Sequence, residues 1–179
     1  MNVIKKNYMH ENTEVLYTLD DLTITDYSDI SHFKKLSKVN IRKRVRLCAH
    51  LEQANLLHEM IIVHGKGAYV RPHKHLGKCE STHIVEGEVD VVLFDNEGRI
   101  DQVIKMGEYT SGKPFFYRMA IPTYHTFIIR SEILVFHETT NGPFNKDSII
   151  FAPWAPENDD MKSVELFMSD LEERVSLII

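Results

Sequence analysis

Two histidines, His73 and His75, stand two residues apart, and Glu80 follows five residues after the second. On a β-strand, side chains at i and i+2 point to the same face, so both imidazoles can reach one point. A turn built on Gly77 separates them from Glu80, and an antiparallel return would bring its carboxylate to the same place. A fourth ligand can come from a later strand. His125 in IPTYHTFI is the candidate, because Pro122 sets a turn and His125 opens a strand. Neutral imidazoles with a carboxylate suit one divalent transition metal, Fe, Mn, Ni, Cu or Zn. Such a set leaves one or two positions open for substrate, water or O₂.

Other residues near these carry chemistry of their own, and each has a plain structural alternative. Arg71 precedes His73 by two and shares its face if the strand is regular; if the chain bends at Pro72 it goes to solvent. Arg42, Arg44 and Arg46 form either an anion-binding patch at the mouth of the fold or a solvated edge strand kept soluble by charge. Either His137 or Glu138 faces inward, and Glu138 there is a general acid/base, since burial raises a carboxyl pKa. Tyr69 and Tyr124 line the pocket or are simply half-buried. Cys79 alternates off the ligand face and is expected to be a packed small residue rather than a zinc ligand. His83 points away from the metal on a regular strand, and His50, His58, His64 and His137 are expected to be hydrogen-bonded structural histidines. Trp154 is read as an aromatic that closes one end of the fold, with a sugar platform as the alternative.

The elements that must position these residues are mostly strands. From Arg44 the apolar period is two, with Val45, Leu47, Ala49 and Leu51 on one face and Arg44, Arg46, Cys48 and His50 on the other. Strand-like segments follow at 58–63, 69–75, 82–86, 89–94, 99–105, 115–119, 125–130 and 133–139, separated by turns such as HGKG, EGE and DNEG. Many short strands joined by tight turns predict an all-β sandwich or barrel. Two helices flank them. Ser28–Asn40 places Ile30, Phe33 and Leu36 at three-residue spacing behind a Ser28/Asp29 cap, and residues 159–175 put Val164, Phe167, Met168, Leu171 and Val175 on one stripe. The expected organisation is an arm and short helix over 1–41, a barrel over 42–152, and a tail with an outer helix over 153–179.

The chain has 179 residues, 43% hydrophobic, enough for one domain with a sizeable core. A formal net charge of −5 argues against nucleic acid or an anionic membrane as partner. No secretory leader pattern opens the sequence, and no apolar run approaches the ~20 residues of a membrane helix. Two cysteines, Cys48 and Cys79, do not make a disulfide framework. The expectation is a cytoplasmic protein with free thiols.

The spacing Gly67, His73, His75, Glu80, Gly87 resembles the first signature motif of the cupin superfamily at every fixed position. That resemblance implies a jelly-roll β-barrel. The second cupin motif is met less fully: Ala120 and Pro122 stand where proline and glycine are usual, and Ile129 where asparagine is. Further segments, LCAH at 47–50, LHEM at 57–60, YVRPHKH at 69–75, VVLFDNEGRI at 91–100 and FAPWAPE at 151–157, resemble the cupin-fold metalloproteins of the WbuC family over roughly residues 42–157. Phe144 departs from the tyrosine frequent there. The resemblance favours Glu138, which matches a recurrent acidic position, and it implies a setting in surface-polysaccharide (O-antigen) assembly.

Three functions follow as expectations. The first is a metal-dependent enzyme on a sugar or sugar-nucleotide precursor, isomerising or epimerising it. The second is a non-haem iron oxygenase, and the third a cupin that binds a small ligand without turnover. The ligand is expected to be small and anionic or sugar-like, with Arg71 or Arg46 at the pocket rim. A homodimer is expected, because cupins commonly pair and the apolar stripe of the last helix seeks a partner surface.

Overall fold

The structure, a computed structural model, describes residues 7–178; the first six residues of the arm lie outside the described residues. Twelve strands form two sheets. The seven-stranded sheet has the order β1 (Tyr8–His10), β2 (Val15–Thr18), β3 (Arg44–Cys48), β4 (Leu57–Gly65), β11 (Ile133–Asn141), β6 (Glu80–Glu86), β9 (Phe116–Met119). The five-stranded sheet has the order β12 (Ile149–Phe151), β5 (His73–His75), β10 (Tyr124–Ile129), β7 (Glu88–Phe94), β8 (Ile100–Gly107). Every pairing is antiparallel except β2 with β3. This is the two-sheet architecture implied by the cupin resemblance.

The chain stacks in four layers because each sheet buries both faces. Between the sheets, Met60, Ile62, Ile84 and Phe136 meet Val89, Val91, Phe127 and Ile129. Helix α1 (Tyr27–Val39) lays Phe33 on the outer face of the seven-stranded sheet, against Leu16, Val45, Leu47, Val63 and Val135. Helix α2 (Met161–Ser176) lays Leu171 and Val175 on the outer face of the other sheet, against Val92, Phe94, Tyr124 and Ile128. Strand β10 is therefore buried at all six positions, as expected of a strand covered on both sides. The predicted α2 stripe is satisfied inside the chain, so it no longer argues for a partner surface.

Several elements differ from expectation, each for a local reason. The cap of α1 is Asp26, not Ser28 or Asp29: its Oδ1 accepts from the Ser28 and Asp29 amides, while Asp29 Oδ2 accepts from the Asp26 amide. The arm holds two strands unmarked by any clear pattern, and β2 covers β3, which is therefore not an edge strand. The expected strand at 69–75 is reduced to His73–His75. Pro72 has no N–H to give, and the carbonyls before β5 go elsewhere: Val70 O accepts from Thr126 Oγ1 at 2.5 Å and Pro72 O from the Ala152 amide at 2.8 Å. Strand β12 pairs with β5, so the FAPWAPE tail clamps the strand that carries both histidines.

Candidate metal centre and cavity

His73 on β5 lies directly opposite His125 on β10, which sets their rings 4.6 Å apart. His75, two residues on, returns to the same face, its ring 4.9 Å from that of His73 and 6.0 Å from that of His125. One ligand nitrogen from each lies within 4.8 Å of the others. Glu80, the first residue of β6, reaches in from the opposing sheet. Its Oε2 is 3.1 Å from His75 Nε2 and its Oε1 3.5 Å from His125 Nε2. The motif ends on Gly87, where φ is +90° and a Cβ would fall 2.3 Å from Ile133 O, so only glycine fits the turn into β7.

The donors are prepared for a cation. His73 Nδ1 lies 2.8 Å from Arg71 O and His125 Nδ1 3.0 Å from Thr123 O, so each ring is protonated at Nδ1 and keeps its Nε2 lone pair free. Burial, with His125 and His75 beside it, pulls the His73 pKa down to about 3 and keeps that imidazole neutral. Burial works to raise the Glu80 pKa, but His125 and the hydrogen bond from His75 outweigh it and hold the carboxyl below its usual range. Tyr117, which sequence reading passed over, donates from its hydroxyl to Glu80 Oε1 at 2.9 Å. Period two on β9 could have shown that Tyr117 faces inward, but not that Glu80 waits there. The three histidines fit one divalent metal ion, with Glu80 at their side.

The cluster opens on a cavity of about 320 Å³ between the sheets. The register explains its lining. Arg44 faces His64, Arg46 faces Ile62 and Cys48 faces Met60 across β3 and β4, while Glu138 on β11 lies between Met60 and Thr82. Glu138 thus enters the cavity wall, and His137 points the other way, 3.7 Å from Glu59. Burial and the neighbouring Glu80 raise the Glu138 pKa, so this carboxyl keeps its proton far longer than an exposed one. Arg46 lines the cavity as well. Arg42 and Arg44 stand at its mouth, already paired with Glu14 at 2.5 and 3.0 Å.

The remaining site residues expected from the sequence lie elsewhere. Arg71 does not reach the cavity: with the strand broken before His73, its guanidinium pairs with Glu157 and lies 4.7 Å above the Phe151 ring. Tyr69 donates to Pro156 O and packs on Phe167, and Tyr124 is buried in the core beneath α2 beside Trp154. Trp154 packs on Phe94 and donates to Asn96 O, which is the role of an end closure. Cys79 accepts from Arg118 at 3.3 Å, outside the histidine cluster, and His83 is exposed. His50 has the expected backbone partner, Glu59 O at 3.2 Å. His64 Nδ1 does not: it is buried with no hydrogen-bond partner among the described residues, while the buried His58 ring lies against the Gln53 and Asn55 backbone. Nothing in the local sequence separates His64 from structural histidines. Both cysteines are free.

Residues 25–106, from α1 to β8, match a family model described as a domain of unknown function, DUF6016. That stretch includes His73, His75 and Glu80, and stops before His125 and Glu138. No curated protein matches the chain. Among solved structures, a protein from Shewanella oneidensis titled SO0799 is similar at a TM-score of 0.50 and 9% identity, over 72% of this chain and 85% of that one. Oxalate decarboxylase from Lactobacillus farciminis, in a formate complex, is similar at a TM-score of 0.43 and 18% identity over 54% of this chain. The Bacillus subtilis enzyme gives a TM-score of 0.47 and 18% identity over 60%. The match spans about a quarter (27%) of each decarboxylase. No described helix is long and apolar enough to cross a membrane. The likeness to the Shewanella protein shows the fold alone, two facing β-sheets of the kind that the cupin resemblance implies.

Proposed function

We propose that the protein is a metal-dependent enzyme of the WbuC type, acting on a sugar or sugar-nucleotide precursor of a surface polysaccharide by isomerisation or epimerisation. One observation carries the reading. The three imidazoles, two of them fixed through Nδ1 to backbone carbonyls, open on a cavity whose wall holds Glu138, a carboxyl with a raised pKa. His73, His75, His125 and Glu80 would hold the metal, which would supply a Lewis acid for a carbonyl or hydroxyl. Glu138 supplies the proton. A buried carboxyl with a raised pKa donates from its Oε to a developing oxyanion and takes the proton back from a neighbouring carbon or hydroxyl. Tyr117 holds Glu80 in place through its hydroxyl. Arg46, which has no ion-pair partner among the described residues, offers the cavity a cation for an anionic or carboxylate-bearing ligand. The volume of about 320 Å³ suits a monosaccharide-sized group.

The test has two parts. Elemental analysis of protein purified without chelator should find about one divalent metal per chain, and thermal shift should pick out sugar nucleotides among small anions. Glu138→Gln should then keep the metal and the ligand shift but lose about 10²- to 10⁴-fold in turnover. Iron as the metal, with oxygen uptake in place of isomerisation, would turn the assignment to an oxygenase. Metal and ligand binding with no turnover on any substrate would turn it to a binding protein. The homodimer belongs to the same proposal; a monomeric mass by sedimentation would exclude it.

A further inference from the structure

A second chamber of about 110 Å³ lies beside the metal cavity, lined among others by Cys48, His50, His58 and Lys78. Arg46, His75, Glu138 and Ile149 line both spaces, so one wall of side chains separates and joins them. Strand alternation makes the pair. The inward residues of β3 and β4 run from Arg44 and His64 at the metal-cavity end, past Arg46, to Cys48 and His58 at the other.

The charge of the chamber differs from that of the cavity. The metal cavity holds the carboxylates Glu80 and Glu14, and Glu14 already occupies Arg42 and Arg44. The chamber holds two cations, Arg46 and Lys78, and Glu138 is the sole carboxyl among its lining residues. Arg46 has no carboxylate within ion-pair distance among the described residues. Lys78 Nζ is aimed by Asn141 O at 2.8 Å and Pro143 O at 2.7 Å, which leaves one of its three donors free. His50 and His58 stack face to face, centroids 4.0 Å apart and 5° from parallel, and both rings are buried. Burial raises the Cys48 thiol pKa, so that group adds no negative charge. A small space bordered by a guanidinium with no carboxylate partner among the described residues and by an aimed ammonium with a spare donor suits one anion.

We propose that this chamber is a phosphate subsite: it binds the phosphate of a two-ended ligand whose other end enters the metal cavity. The link to the second end rests on the function proposed above; the phosphate site itself does not. Arg46 stands between the ends and orients the ligand, with Lys78 at the far side of the phosphate.

The experiment is calorimetric titration of the full chain with inorganic phosphate at constant ionic strength, with acetate in parallel and metal content measured in every preparation. The wild type should bind one phosphate. Arg46→Gln and Lys78→Gln should each weaken it roughly ten- to a hundredfold, the loss of a charge-assisted hydrogen bond, with metal content and circular dichroism unchanged. Arg44→Gln should leave it within about threefold, because Glu14 already takes that cation. His73→Ala, which removes a metal ligand outside the chamber, should leave phosphate binding intact; failure of the metal reading is thereby told apart from failure of the subsite. Unchanged affinity in both the Arg46 and Lys78 variants, or no phosphate binding by the folded wild type at millimolar concentration, would overturn the subsite. Acetate bound as tightly through the same residues would overturn its assignment to phosphate.

Discussion

The two faces of the seven-stranded sheet use the same strands for opposite purposes. On the outer face, Val45, Leu47, Val63 and Val135 are at most 1% exposed and close over Phe33 of α1. On the inner face, at alternate positions of the same strands, stand Arg44, Arg46, His64 and Glu138, and the space beside them is a cavity. One face is dry and fully packed. The other keeps polar groups that it does not fully satisfy, at a cost in stability. Strand parity therefore confines the polar chemistry to the inner face, so substitutions of the outer-face residues should show in unfolding alone and those of the polar inner-face residues also in binding.

The largest expected effect is on the metal. His125→Ala removes a ligand that is 3% exposed, and metal content per folded chain should fall from about one to near zero. Full occupancy in that variant, by elemental analysis, would place the fourth ligand elsewhere. On the outer face, Phe33→Ala should cost about 3–5 kcal/mol in urea unfolding, since Phe33 is 1% exposed and the gap cannot collapse between helix and sheet. Its metal content per folded molecule should not move; if it does, the two faces are coupled. Tyr117→Phe frees Glu80 Oε1 and should lower metal affinity about ten- to a hundredfold in chelator competition, with little change in stability.

Acid should act on the inner face, because it carries buried neutral histidines. Burial and Arg44 bring the His64 pKa to about 3, and burial and His58 bring that of His50 to about 4, both from 6.5. A lowered folded-state pKa means that, below pH 6.5, the unfolded chain takes up protons that the native state refuses. Stability should therefore be complete above pH 6.5 and fall as pH drops towards 4, by at most about 1.4 kcal/mol per pH unit for each group. Urea midpoints at pH 7.5, 6 and 5 should show the slope, and His64→Leu should flatten it. A slope unchanged by that substitution would remove His64 from the account. The smallest effect belongs to neither face. Glu157 is 68% exposed in its pair with Arg71, so Glu157→Gln should cost less than about 1 kcal/mol and leave the metal untouched. A large loss there would mean that the tail clamp on β5 depends on this pair.

Much of this is legible in the amino-acid sequence alone. Alternation in RVRLC separates Val45 and Leu47 from Arg44 and Arg46, and the spacing from Gly67 to Gly87 brings His73, His75 and Glu80 together. The α2 stripe names the residues that pack. Bonded geometry determines these things: in a strand neighbours point apart, and in a helix every third or fourth residue shares a side. The tertiary structure decided the rest, because it depends on what comes alongside from far away in the chain. Alternation cannot say whether His137 or Glu138 faces inward; pairing of β11 between β4 and β6 does. It places Arg71 beside His73 only while the strand stays regular, and the tail, with Pro72, turns Arg71 to Glu157. The arm's β2 is unreadable because four residues hold too little pattern, yet it pairs with β3 and so sets the three arginines around a cavity, with Arg42 and Arg44 at its mouth. A sequence specifies which residues share a face; which face closes over a cavity is set by long-range pairing, and in this protein that pairing joins the histidines, Glu138 and Arg46 in one space.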